Sequence, residues 1–487
     1  MNSYILGIDV GLTLIKADVY DLSGKLIVES VRKTPIVFAE ECSEIDMNVL
    51  WTEVAAVIKD TMHKKHIRSN DIIGIGISGH GNGLYCIDRK GNPIGNAITS
   101  MDHRGANILK AIDRDVKRKL LKKTLQQLWD GQPGILMKWL KEKKPNEYKN
   151  INVAFLCKDW ITHCFTGEIT TDYSDMSACG LFNNIKKTYD DSILSLLDIQ
   201  EMHGKMPKVL KSYEIAGYVT KEVEKLTGLK KGTPVITGLF DVDACGIGAG
   251  LIEDNLYCSI AGTWNINMSI TSRAVESVKI LMCTIRGDNS TYLAIDCSPT
   301  STSNLEWLLK NILGGVYSYS DFEKIISSYK AEDVRIIYLP FIYGGFMSNN
   351  VGGLFFNLRG YHTSKDLLRA VAEGICFAHY YHIKNLQAVG TKGEIIRLTG
   401  GASQNAKWCQ IFADITGMNV QTPKSHQTGT LGLCMMVCIG VGIYNNIKEA
   451  VENMFSLERI YYPDMNAHKI FQDKYDKFIQ LITRIGQ

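Results

Sequence analysis

A chain of 487 residues is too long for one ordinary core, so two domains enclosing a cleft are expected. Its 54 basic and 51 acidic side chains nearly balance, and neither sign is concentrated enough for a nucleic-acid or membrane surface, which leaves a small molecule as the expected partner. The 13 cysteines show no CxxC and no paired spacing with histidine, which argues against a zinc site and a disulfide framework and for a reduced, cytoplasmic protein.

Taken in chain order, YILGIDV (4–10) and IKADVYD (15–21), with the turn DLSGK, read as strands of a hairpin. No signal-peptide pattern precedes them. Residues 47–65 carry apolar side chains at helical spacing before the strand-like DIIGIGIS (71–78). Here Gly74, Gly76 and Gly79 fit GxGxxG, with Asp102 at about the distance a dinucleotide fingerprint asks. The glycines fall inside an alternating strand and do not open a helix, so they predict close packing across the strand. The basic run KRKLLKK (117–123) has leucines at helical spacing and predicts a solvated helix face. The second half repeats the opening: LYCSIAGT (256–263), a glycine turn, NINMSIT (265–271), then helices and IIRLTGGAS (395–403). The apolar run LGLCMMVCIGVGIY (431–444) is too short to span a bilayer. The fold class is therefore mixed α/β, two variations on one plan, joined near 245–255 by a packed hinge because no Pro- or Ser-rich linker separates them.

Three turns could hold a nucleotide. Asp9-Val10-Gly11-Leu12-Thr13, with Lys16 beyond, is a hairpin turn whose backbone N–H groups, hydroxyl and ammonium suit phosphate oxygens. Ala261-Gly262-Thr263-Trp264 repeats the glycine-then-hydroxyl turn, and LTGGASQNAKW (398–408) is a strand, a paired-glycine turn and a helix start where a base and ribose can approach backbone. A fourth segment, GLFDVDACGIGAG (238–250), places Asp241 and Asp243 among small and apolar residues, where carboxylates are costly unless solvated, paired or used.

These four segments, in this order, resemble the FGGY family of carbohydrate kinases over nearly the whole chain. QQLWDGQPGILMKWLKEKKPNEY (126–148), GLFDVDA, GTW and SPTSTSNLEW (298–307) are most similar to the L-xylulose kinase pattern within it. The resemblance implies two ribonuclease-H-like domains of the actin, hexokinase and Hsp70 type, over 1–248 and 249–487, with the catalytic cleft between them. It implies ATP and Mg2+ as cofactors and a small sugar or polyol as substrate: L-xylulose or a related ketopentose, with erythritol, another polyol or D-xylulose as alternatives. Asp241 would be the catalytic base, and Asp9 would hold Mg2+ through water. Gly11, Thr13, Lys16, Gly262 and Thr263 would contact phosphate, and Gly401 and Asn405 would line the adenosine pocket. Gly81, Asn82, Asp102 and Arg104 would bind the sugar; the alternative for the last two is a surface ion pair. Asp243 is expected only to cap a helix or face solvent. A homodimer is the assembly kept open.

Four residues depart from the family pattern: Leu12 for a phosphate-loop Thr, Ser100 for the Trp of WxDxR, Leu136 for a Lys, and Asn82 where the L-xylulose pattern carries Lys. Exchanging a cation for an amide at 82 changes which hydroxyl or carboxylate is tolerated. The competing functional classes are a non-catalytic actin-like ATP-binding sugar sensor, which would not need Asp241, and a dehydrogenase resting on the GxGxxG match. Sugar residues in one half and nucleotide residues in the other predict closure of the cleft around the sugar.

Overall fold

The computed structural model describes residues 3–64, 67–344 and 351–485. The first half is built on a seven-stranded sheet. Its strands are β1 (Tyr4–Val10), β2 (Leu14–Asp21), β3 (Leu26–Lys33), β4 (Ile72–Gly79), β5 (Ile215–Tyr218), β6 (Pro234–Ile236) and β7 (Leu239–Phe240). Their spatial order is β5-β6-β4-β1-β2-β3, with β7 also pairing with β4. β1 runs antiparallel to β2 and parallel to β4. The second half repeats this with β8 (Leu256–Ala261), β9 (Asn265–Thr271), β10 (Met282–Ile285), β11 (Tyr292–Ser298), β12 (Ile395–Thr399), β13 (Asn419–Pro423) and β14 (Leu457–Tyr461), ordered β10-β11-β9-β8-β12-β13-β14. There β8 is antiparallel to β9 and parallel to β12, so the duplicated plan read from the sequence is present in the pairing itself.

Helices cover both sheets. α1 (Met47–His63) begins where Asp46 caps the Asn48 and Val49 N–H groups, and buries Leu50, Val54, Val57 and Ile58 against the first sheet together with α2 (Cys157–Thr166). Lys65, the end expected for that helix, lies outside the described residues. α3 (Asp241–Gly248) packs on the second sheet, where Gly246 abuts Met268. α4 (Ser364–Ala388) and α5 (Ala406–Thr416) cover that sheet's other face. α6 (Thr428–Gly440), although it comes from the second half, lies on the first sheet against Ile5, Tyr20 and Ile236. Helices are therefore exchanged: the first half lends α3 to the second sheet, and the second half lends α6, with the helix Ile447–Met454 beside it, to the first. α7 (Met465–Ile485) closes the second core with Phe471 and Phe478. No described helix is long and apolar enough to cross a membrane.

The loaned helices touch through backbone. A Cβ on Gly248 would lie 1.9 Å from the Thr428 carbonyl oxygen, and one on Gly432 would lie 2.0 Å from that of Ala244. The GxGxxG glycines have the packing role expected of them. A Cβ on Gly74 would come within 2.5 Å of Val437, and one on Gly76 within 3.0 Å of the same side chain. The basic run lies in the helix Arg114–Thr124, which buries Leu120 and leaves its lysines at the surface. Among the described residues all 13 cysteines are free thiols.

Candidate active site

Because β1, β4 and β7 run parallel, their carboxyl ends lie side by side, and β7 ends at Phe240, paired with Gly79. Asp9, the segment His80–Asn82 and Asp241 thus meet at one edge of the first sheet, the place where open α/β sheets hold ligands. The second sheet presents the carboxyl ends of β8 and β12, Ala261 and Thr399, to the same cleft. The N-terminus of α6 joins the two: Thr428 Oγ1 is 3.0 Å from Thr399 Oγ1, and a Cβ on Gly429 would be 3.8 Å from Asp9 Oδ2 and 3.3 Å from Cys245 Sγ.

Asp241 is the first residue of α3 and is only partly reached by solvent. One carboxylate oxygen accepts the Val242 N–H at 2.8 Å. Burial, reinforced by the Asp9 charge, pushes its carboxyl up to about 8, the poise of a group that holds or releases a proton near neutrality. Asp9 accepts from Ser78 Oγ at 2.8 Å, which fixes one of its oxygens. Asp243 corrects its expectation. It neither caps α3 nor faces solvent: it is buried, accepts the Gly287 N–H at 2.9 Å and lies 3.7 Å from Arg286. Burial raises its carboxyl to about 6 even though Arg286 pulls the other way. It clasps α3 to the end of the β10 hairpin.

Behind Phe240 lies a charged group the sequence reading did not single out. Lys158 Nζ is 2.5 Å from Asp159, 3.0 Å from Asp172 and 3.7 Å from Asp175, all four side chains fully buried. Ser174 donates to Asp172 at 2.5 Å and accepts the Phe240 N–H at 2.9 Å, so the cluster anchors the residue preceding Asp241. The Phe240 ring in turn occupies the space above Gly81, where a Cβ would be 2.3 Å from it. Gly81 makes room for that ring.

Asn82 adopts φ 61°, a left-handed conformation that asparagine tolerates, and its buried Oδ1 has no partner among the described residues. Trp129 Nε1 is likewise buried and unpartnered. The two segments are joined, because Gly83 N–H donates to the Gly131 carbonyl at 3.2 Å. Trp129 is a site residue that reading by motif missed, and only the structure reveals its unsatisfied donor. Asp102 and Arg104 do not join this group, nor are they a surface pair. Asp102 is fully buried, with its oxygens taken by Arg104 and by the Ser43 N–H at 2.8 Å. The Arg104 guanidinium pairs with Glu44 at 2.6 Å and stacks 4.8 Å above the Trp139 ring. The two cavities it lines contain none of the cleft residues named above.

On the nucleotide side, Thr34 holds the first turn by donating Oγ1 to the Gly11 carbonyl at 2.7 Å and its N–H to the Thr13 carbonyl at 3.1 Å, and Thr13 is exposed. Lys16 is engaged elsewhere: its Nζ donates to Gln427 Oε1 at 2.8 Å, across the boundary between halves. The second turn is held from below by the segment 301–303. Thr302 gives both N–H (3.0 Å) and Oγ1 (2.6 Å) to the Gly262 carbonyl, and Ser303 Oγ donates to the Thr263 carbonyl at 3.2 Å. Thr263 itself is exposed and Gly262 has open space at its Cα. Gly400, at φ 86°, lies against this turn, where a Cβ would be 2.7 Å from the Ala261 carbonyl, so the third turn stacks on the second. Gly401 and Asn405 line a cavity of about 460 Å³ with Thr302, Leu305, Tyr319 and Trp408. Asn405 also caps α5 by accepting the Trp408 N–H at 2.9 Å. Removing the Thr302 hydroxyl in Thr302→Val is expected to raise the KM for ATP about fivefold, the worth of roughly one hydrogen bond, with the sugar KM unchanged in steady-state assays.

The chain matches the FGGY family of carbohydrate kinases, N-terminal domain, over residues 4–248 and the C-terminal domain of the same family over residues 257–441. It belongs to that family. The kinase is 32% identical to the L-xylulose/3-keto-L-gulonate kinase of Escherichia coli (strain K12), covering 100% of this chain and 98% of that protein. It is 31% identical to a probable L-xylulose kinase of Pasteurella multocida (strain Pm70), covering 99% of each chain. Its fold superposes on the crystal structure of gluconate kinase from Lactobacillus acidophilus with a TM-score of 0.91 at 23% identity, covering 100% of this chain and 99% of that one. The protein is thus an ATP-dependent carbohydrate kinase of two-domain α/β architecture.

Proposed function

We propose that this kinase transfers the γ-phosphoryl group of MgATP to a hydroxyl of a ketopentose, with Asp241 as general base. The observation that carries the reading is the place of Asp241, at the carboxyl edge of β1, β4 and β7 beside Asp9 and at the start of α3; burial pushes its carboxyl up. A carboxylate within reach of the attacking hydroxyl takes its proton as the O–P bond forms. Thr13 from one side, on a turn that the Gly11 N–H closes by donating to the Leu14 carbonyl at 3.0 Å, and Gly262 and Thr263 from the other present backbone and hydroxyl donors to the phosphates, and Gly401 and Asn405 bound the nucleoside cavity. Lys16 reaches phosphate only after leaving Gln427. A divalent cation fits the site, because Asp9 and Asp241 are close enough for the Asp9 charge to raise the Asp241 carboxyl. Asp9 would hold it through water, and Mg2+ bound there neutralises phosphate charge. The names of the two curated relatives, which both include L-xylulose, favour a ketopentose over erythritol or other polyols.

The test is ADP release with MgATP across L-xylulose, D-xylulose, ribulose, erythritol and glycerol, followed as a function of pH. A raised carboxyl must lose its proton to act, so kcat/KM is expected to climb about tenfold per unit of pH on the acid side and then to level, with Mg2+ at Asp9 setting that limb below the metal-free value of about 8. A folded, ATP-binding protein that releases no ADP with any of these sugars is a sensor and overturns the kinase reading. A rising limb that is unchanged in Asp241→Asn removes Asp241 from the role of base.

A further inference from the structure

The fold alone does not decide whether the sugar is neutral or acidic, since the names of its relatives pair it with xylulose, with 3-keto-L-gulonate and with gluconate. The side chains do. We infer that the sugar subsite of this kinase is built for a neutral ketose or polyol and rejects sugars that carry a carboxylate, an inference that rests on the kinase reading for the location of that subsite.

Three observations carry it. First, the unsatisfied groups at the subsite are uncharged: the Asn82 amide oxygen, the Trp129 indole N–H and Nδ1 of the neutral His80 imidazole, all buried atoms lacking a partner among the described residues. An amide matches hydroxyls in either orientation, and an indole N–H matches a hydroxyl or keto oxygen. Second, the nearby cations among the described residues are each held by another partner. Arg104 is locked between Asp102 and Glu44 and opens onto other cavities. His103 pairs with Asp130 at 2.9 Å at the surface. Lys158 is buried among Asp159, Asp172 and Asp175, and Lys16 is held by Gln427. His80, beside Asn82, hydrogen-bonds Tyr85 at 2.8 Å and is kept neutral by burial, which lowers its imidazole to about 4. Third, the charge that fronts the subsite is negative. Asp9, whose charge helps push the Asp241 carboxyl up, stands there, and the Lys158 ammonium behind Phe240 is spent on the acids around it. A sugar carboxylate entering here would lose its hydration, find no counter-ion and face like charge. A neutral ketose meets only hydrogen-bond partners.

The experiment compares L-xylulose with 3-keto-L-gulonate and gluconate on the full chain, by ADP release at saturating MgATP and, independently of turnover, by titration calorimetry. One uncompensated charge held roughly 8 Å from another at an effective dielectric near 20 corresponds to about 30-fold, so L-xylulose is expected to lead the acids by ~30-fold or more in both kcat/KM and affinity. The gap should narrow as salt is raised from about 50 mM to 500 mM, because screening weakens the repulsion. Asn82→Asp, which keeps the left-handed backbone accessible and adds a negative charge, is expected to widen it. Equal or better use of an acid sugar overturns the inference. Selective binding of L-xylulose without ADP release upholds the inference and rejects the kinase reading, whereas binding of none of the three overturns both.

Discussion

Replacing Asp241 by Asn is expected to lower kcat by 10²- to 10⁴-fold, the usual cost of losing a general base, while the dissociation constants for sugar and ATP change by less than about threefold. The substitution is nearly isosteric. The carbonyl oxygen of Asn can still accept the Val242 N–H that Asp241 accepts at 2.8 Å, so the start of α3 is preserved. What disappears is a group that can take a proton, and with it the rising limb of the pH profile. Removing the carboxylate also relieves the repulsion from Asp9, so thermal stability should hold or rise. Retained turnover above about a hundredth of wild type, measured by coupled ADP release, would demote Asp241. Asp243→Asn provides the contrast. Its carboxylate is spent on Gly287 and Arg286 and does not face the sugar, so the change should act on stability more than on kcat.

The second large effect is expected at Gly432. Its Cα faces the Ala244 carbonyl so closely that any side chain there must push α6 away from α3, and α3 is pinned in return by Gly248 against Thr428. Gly432→Val is therefore expected to cost upwards of ~3 kcal/mol and to separate the two sheets, because each helix is simultaneously part of the other half's core. Urea unfolding with intact and variant protein measures it. Gly401→Ala, at a position with open space around the added methyl, serves as the control and should leave the midpoint within experimental scatter. An unchanged midpoint for Gly432→Val would mean that the helices are not in backbone contact. We propose the same contact as the pivot for closing the cleft on its sugar, since glycine-lined helices can rotate without unlocking side chains.

Much of this architecture was legible in the residues. The strand, glycine turn, strand signal at 4–21 recurs at 256–271, and the pairing of β1 with β2 and of β8 with β9 realises it. Alternation around Gly74 and Gly76 was enough to place them inside a strand, and α6 supplies the neighbour that demands them. Local pattern could not show which partner a side chain would find across a long separation. Asp102 and Arg104 have the chemistry of a polyol site, yet their charges are consumed by Ser43, Glu44 and each other. Asp243 looks like its neighbour Asp241 in sequence, but two residues along a helix turn it by about 200°, to the opposite face and to Gly287 in the other half. The value of Trp129 lies in a partner it lacks, and Lys158 draws its meaning from three acids, one adjacent and two more than a dozen residues on. Segment 301–303 reads as a polar loop, and only its contacts with Gly262 and Thr263 reveal it as the brace of a phosphate turn.

The exchanged helices also bear on how the chain is made. A ribosome releases the whole first sheet before residue 250, yet the helix that covers its inner face, α6, ends only at Gly440. At roughly 5–20 residues per second, the wait is on the order of 10–40 s. Throughout that interval Ile5, Tyr20 and Ile236 present an apolar surface to solvent without the helix that will cover it, while α3 has emerged without the sheet it will pack upon. The nascent first half is thus an unfinished globule that must avoid other sticky chains until its late-arriving helix docks, and a chaperone that shields such surfaces has its natural window there.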